Sequence, residues 1–196
     1  MASDTRQRLV TVARELVHRS SYAAVSIEDV CSTAGVHRGS LYHFFPSKEA
    51  LGLAVVDANW VLMDAMLAEA FRDDVAPLAR IDRFVHAFGS LLATTREQMG
   101  ATPGCPLGNL AAELAGHGEA GQRLTGILDA WTRYFTAAID EARRHGDLSR
   151  ATDPGEAALR VLAYLQGVAL LAKAYDRPGL VDQMRSGVRM LLDPPA

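Results

Sequence analysis

Residues 34 to 51 read AGVHRGSLYHFFPSKEAL, and the side chains in this stretch that carry chemistry are cations, imidazoles and hydroxyls. Arg38 can make a bidentate contact to guanine or to phosphate, and the hydroxyls of Ser40 and Tyr42 can donate to phosphate oxygens. His37 and His43 can reach base edges, while Gly39 removes a side chain where a helix comes close to a groove. Lys48 and Ser26 stand at the starts of flanking helices, where backbone N–H groups also favour phosphate. A metal is a poor alternative for the two histidines: six residues apart on a helix, they differ by about 240° and do not share a face. The whole set suits a polyanion.

Such a set works only if local elements hold it. Leu9, Val12, Ala13, Leu16 and Val17 recur at helical spacing, giving a first amphipathic helix. Ser26 before "IEDVCSTA", with Asp29 three residues on, is a capping box with Asp in place of Glu. Gly35 stops that helix, since glycine accepts positive φ without steric cost. A third helix runs to Phe45, before Pro46. Val30, Ala34, Val36, Leu41 and Phe44 fall where a helix-turn-helix needs burial, and Tyr42 and Phe45 have core packing as their plain alternative.

Ser47 then caps a long helix striped by Leu51, Val55, Ala58, Leu62, Ala65, Met66 and Phe71. At about 35–40 Å it is too long for the small N-terminal unit alone and ties that unit to the rest. Further helices are expected over 77–99, 107–114, 119–145, 154–175 and 180–192. Asp153-Pro-Gly-Glu156 is a clear start signal for the fourth of these. The fold expected is all-α, with about nine helices: a helix-turn-helix domain over 1–50 and a larger bundle over 51–196.

Overall charge argues less than local placement. The chain of 196 residues carries net −3, yet residues 1–50 sum to +1 and the remainder to −4. A few placed cations suffice for phosphate binding on an acidic chain. With 49% apolar and 22% charged residues the composition is ordinary for a soluble globular protein. No apolar run approaches the roughly 20 residues of a membrane span, and MASDTRQRLV lacks a signal peptide's apolar core, so a cytoplasmic protein is expected. Cys31 and Cys105 make neither a disulfide framework nor a zinc site, and no cofactor or metal is called for. A small helical enzyme is the competing class. It lacks any Ser-His, His-carboxylate or metal-spaced cluster, and Glu113 with Cys105 needs a histidine such as His86 or His117 to approach in space.

Residues 9–51 resemble the N-terminal domain of the TetR family of transcriptional regulators. The resemblance rests on Ser26, Ala34-Gly35-Val36, Gly39-Ser40-Leu41-Tyr42, Phe45, Ser47-Lys48-Glu49 and Leu51, with His37 and Cys31 as mild departures. It implies that Tyr42 and Lys48 clamp phosphates and that His37, Arg38 and His43 lie in the major groove of double-stranded DNA. A homodimer reading a palindromic operator, released by a small-molecule effector, is implied as well.

The larger part offers three features. The last two helices look like a dimerising pair, through Ala157, Ala158, Val161, Leu162, Leu165, Val168 and Ala169 on one and Leu180, Val181, Met184, Val188 and Leu191 on the other. Packing within the chain is the alternative for those faces. Aromatics gather on the middle helices, with Phe84, Phe88, Trp131, Tyr134, Phe135 and Tyr164 as candidate lining of an effector pocket or simply core. In TPGCPLGNLAAEL, Cys105, Asn109 and Glu113 are spaced by four, a pattern resembling a TetR subgroup in which it opens the sixth helix beside the effector site. Cys105 just before Pro106 is a buried small hydrophobe, a pocket wall, or a thiol switch for oxidants and electrophiles.

Overall fold

The computed structural model describes residues 2–116 and 118–192, and among them there are ten helices and no strand. They are α1 (Ala2–Arg19), α2 (Ile27–Ala34), α3 (Arg38–Phe44), α4 (Lys48–Ala70), α5 (Pro77–Met99), α6 (Pro106–Leu114), α7 (Gly118–His145), α8 (Pro154–Ala174), α9 (Leu180–Gln183) and α10 (Arg185–Leu192). Two compact units result. One comprises Met1–Leu62 with Pro106–Ile127, the other Met63–Cys105 with Leu128–Ala196.

In the first unit short-range chemistry sets the elements. The Ser26 hydroxyl accepts from the Asp29 N–H at 3.1 Å, and Asp29 accepts the Ser26 N–H at 2.8 Å, closing the capping box that starts α2. Gly35 ends it in the left-handed region at φ 61°, its N–H turned back onto Ser32 O. Leu9, Val10, Ala13, Val30, Leu41, Leu51, Val55 and Val56 form the core.

One register differs from expectation. Phe45, not Phe44, is the buried aromatic, at 2% exposure, with the Arg6 guanidinium 5.1 Å from its ring. The reason is that α3 ends at Phe44, and Phe45 adopts extended backbone that turns its side chain inward. Phe44 stays half-buried, edge-on to His43.

The second unit is built on an aromatic cluster. Phe84 meets Phe71, Phe88, Trp131 and Phe135 with ring centroids 5.6–6.3 Å apart, and Phe84, Phe88, Trp131 and Phe135 are all fully buried. Beside it Arg80 forks onto Glu141 at 2.8 and 3.1 Å and donates to Val75 O. The faces of α8 differ from the expected dimer pair. Ala157, Ala158, Val161, Leu162, Leu165, Val168 and Ala169 are turned into the unit, as are Val181 and Val188. The final helix expected over 180–192 is broken at Met184. The Tyr164 hydroxyl donates to Met184 O at 2.7 Å, and its ring fills the space a Cβ at Gly187 would need.

By length and composition α4 and α8 reach what a membrane-crossing helix needs, which the search for unbroken apolar runs missed because scattered charges interrupt both. On α8 the apolar residues serve partly as core.

Asp176, just past α8, holds the following turn at φ 48°. It accepts from Arg96 at 2.8 and 3.1 Å, and from the Thr102 N–H and hydroxyl at 2.9 and 2.8 Å. These donors, Arg96 foremost, bring its carboxyl down to about 2 from 3.8. A lowered folded-state value means the stabilisation is present above pH 4 and is lost as pH falls from 4 towards 2. Thermal denaturation should therefore show a drop in that window, and Asp176→Ala should make it shallower. An unchanged acid profile in the variant would contradict this role.

Candidate nucleic-acid interface

His37, Arg38, Gly39, Ser40, Tyr42 and His43 are all exposed along α3, while Leu41 is fully buried. Successive residues on a helix step by about 100°. Gly39 therefore lies roughly opposite Leu41, at the crest of the exposed face, with Arg38 and Tyr42 on one flank and Ser40 and His43 on the other. A Cβ at Gly39 would meet nothing within 4 Å, so packing inside the chain does not require glycine there. His37 is the α3 N-cap but its side chain makes no cap hydrogen bond, so the imidazole remains available.

Arg38 and Tyr42 act as a pair one turn apart. The guanidinium donates to the Tyr42 oxygen at 3.3 Å and lies 5.6 Å from the ring centroid. Because the phenol accepts, its own proton stays free for an acceptor such as phosphate. Lys48 donates to Ala23 O at 3.2 Å and sits 4.7 Å from the Tyr22 ring. An ammonium has three donors, so this leaves capacity for an anion. Ser26 stands apart: its hydroxyl donates to Asp29 at 2.6 Å and accepts the Asp29 N–H, so it serves the cap. The Ser26 donors also lower the Asp29 carboxyl.

Both cysteines are buried, Cys105 at 3% exposure. Burial pushes the Cys31 thiol up despite the opposing charge of Arg38. Of the remaining candidate ligand residues, Phe84, Phe88, Trp131 and Phe135 form the packed cluster, and Tyr164 is spent on Met184. Within that cluster the Trp131 indole N–H finds no acceptor among the described residues. Asn109 and Glu113 lie on α6, and Glu113 accepts the N–H groups of Tyr22 and Ala23 at 3.0 and 2.9 Å. Sequence reasoning missed this last connection, because its partners are backbone amides and leave no side-chain pattern. It also missed a groove of about 470 Å³ in the second unit, lined by Asp64, Phe71, Arg80, Arg133 and Tyr134. Among the described residues no cluster fit for a metal occurs, and His117 lies outside them.

Residues 9–55 match a family model described as bacterial regulatory proteins of the tetR family, and residues 77–188 match one described as a tetracyclin repressor-like C-terminal domain. The chain belongs to the TetR family. Transcriptional regulator AcuR of Cereibacter sphaeroides is 31% identical over 179 residues, covering 90% of this chain and 80% of that protein. The HTH-type transcriptional repressor DhaR of a Mycobacterium species is 27% identical, over 86% of this chain and 82% of that one. A solved regulatory protein TetR from Rhodobacter sphaeroides superposes with a TM-score of 0.81 at 30% identity, covering 93% of this chain and 96% of that chain. This TetR-family protein is a DNA-binding transcriptional regulator, and its all-helical fold has the N-terminal helix-turn-helix and C-terminal helical domain of the family.

Proposed function

We propose that this regulator is a repressor that grips a palindromic operator as a homodimer and lets go when a small molecule binds its second part. Residues 1–50 are the reader; residues 51–196 bind the effector and dimerise. The protein works in the cytoplasm, without a cofactor, and catalyses no reaction. The observation that carries this reading is the exposed face of α3, where His37, Arg38, Ser40, Tyr42 and His43 surround a glycine that nothing in the chain requires. Two recognition helices related by a two-fold axis fit half-sites roughly 34–36 Å apart. The direct test is to select duplexes from a random-sequence pool with the purified protein. A palindrome bound with steep salt dependence is expected, and recovery of no preferred duplex would overturn the reading.

Gly39 supplies a sharper check. A mid-helix glycine costs about 0.5–1 kcal/mol relative to alanine, so Gly39→Ala, second in α3, should stabilise the fold by up to that amount. The same change should weaken binding to the selected duplex, because a methyl then stands at the crest of the reading face. Equal or tighter binding in the stabilised variant would show that the helix does not approach DNA along that line.

For the dimer, support comes from the outward side of α8 and α10. Leu159, Leu170 and Met190 are 59–65% exposed, with Ala163, Gly167 and Leu171 also outward on α8. Small and apolar residues on one face suit an isologous helix-helix contact. Leu170→Arg should shift the protein to monomer in sedimentation and cut operator binding with it, whereas a variant still dimeric at micromolar concentration would remove this face.

For the effector, support narrows to Trp131. A buried N–H without an acceptor costs about 1–3 kcal/mol, which a ligand carrying a carbonyl or carboxylate oxygen recovers. Burial of Cys105 favours its reading as a small hydrophobe over a thiol sensor.

A further inference from the structure

We propose that Glu113, far from the reading helix in sequence, is a positioning residue that sets Lys48 for its operator phosphate. The inference rests on the reading of Lys48 as a phosphate contact. Its geometry lies wholly within the first compact unit. From α6 the two carboxylate oxygens of Glu113 take the N–H groups of Tyr22 and Ala23 separately, Oε1 at 3.0 Å and Oε2 at 2.9 Å. Two consecutive peptide planes of the α1–α2 turn are thereby fixed by one rigid planar group. The same two residues hold Lys48 from the other side, Ala23 through its carbonyl and Tyr22 through its ring face.

Lysine has a long flexible stem, and an ammonium is a compact charge with no directional fork. Its placement therefore depends on what surrounds it. Among the described residues, the two groups that orient Lys48, the Ala23 carbonyl and the Tyr22 ring, both hang on the turn that Glu113 anchors. Tyr22 is itself confined: a Cβ at Gly52 would strike its ring. Burial raises its hydroxyl, and the nearby Glu49 and Glu113 carboxylates add to that. In the first turn of α4 the Glu49 carboxylate lies where a Cβ at Gly118 would stand.

An ordinary tie between α6 and a loop would affect only how much protein is folded. A positioning role reaches the phosphate contact and so the salt dependence of binding. The test uses the full-length protein and the duplex selected by the wild type, with affinity measured across roughly 50–200 mM salt. Lys48→Ala should lower the affinity and reduce the slope of log K against log salt by about one per subunit. Glu113→Ala should reduce the slope in the same direction, and the double variant should be no worse than Lys48→Ala alone. Glu113→Gln, which keeps one strong acceptor, should recover part of the loss.

Three results would overturn the inference. One is an unchanged slope in Glu113→Ala alongside a reduced slope in Lys48→Ala. Another is an equal further loss of affinity when Glu113→Ala is added to Lys48→Ala. If Lys48→Ala itself changes nothing, the phosphate reading of Lys48 fails and takes the role of Glu113 with it, while the α3 contacts stand or fall separately. Should Glu113→Ala not fold, judged by helicity, Glu113→Gln decides: it must show a reduced slope together with faster amide exchange at Tyr22 or Ala23.

Discussion

Arg38→Ala is expected to lower operator affinity at least about thirtyfold, the product of two half-sites each losing roughly 1–3 kcal/mol of a bidentate contact. Helicity and dimerisation should not change, because Arg38 is exposed and, among the described residues, its side chain donates to Tyr42, which is exposed as well. The manner of the loss distinguishes the partner. If Arg38 reads guanine, the variant relaxes preference at one position of the half-site; if it holds phosphate, binding weakens uniformly and the salt slope falls by about one per subunit. Tyr42→Phe should weaken binding by removing the hydroxyl proton offered to phosphate and, with it, the oxygen that takes the Arg38 guanidinium. Unchanged affinity in both variants would remove α3 as the reading helix.

Phe84→Ala should cost about 3–5 kcal/mol of folding stability, measured by chemical denaturation, because it empties the middle of the aromatic cluster. That is a large share of what a domain has. A residue lining an open effector site would instead lose little stability and change the response to ligand. Trp131→Phe provides the contrast. It trims the ring and deletes the indole N–H that finds no acceptor, so the lost area is offset by removal of an unmet donor. Its cost should stay well below that of Phe84→Ala. If Trp131→Phe proves as damaging as Phe84→Ala, the unpaired N–H is not the liability argued above.

The contrast between what the residues disclose and what they conceal follows the range of the interactions. Ser26 with Asp29, Gly35, and Asp153 with Pro154 act within a few residues, and each marks its helix end in the structure as it does in the sequence. The exposed face of α3 is legible for the same reason, because one buried residue, Leu41, fixes the rotation of the helix. Phe44 is misassigned by one step while the core alternative kept for Phe45 holds, since ending the helix a residue earlier turns Phe45 inward. On α8 periodicity fails to choose a face, because Leu159, Ala163 and Leu170 are as apolar as the residues turned inward. The bond of Tyr164 to Met184 O at the break joins residues twenty apart, and the hold of Glu113 on the α1–α2 turn spans 91. Neither leaves a local trace.

One consequence concerns modular engineering. The compact unit that carries the reading helix is discontinuous in sequence, taking α6 and the opening of α7 along with α1–α3 and the first part of α4. A chimera that transplants residues 1–50 onto a foreign sensor leaves behind the carboxylate that anchors Tyr22 and Ala23 and the glycine beside Glu49. Hybrid regulators made from this scaffold should therefore exchange the interval Pro106–Ile127 together with the N-terminal segment, as two grafts cut to one fit.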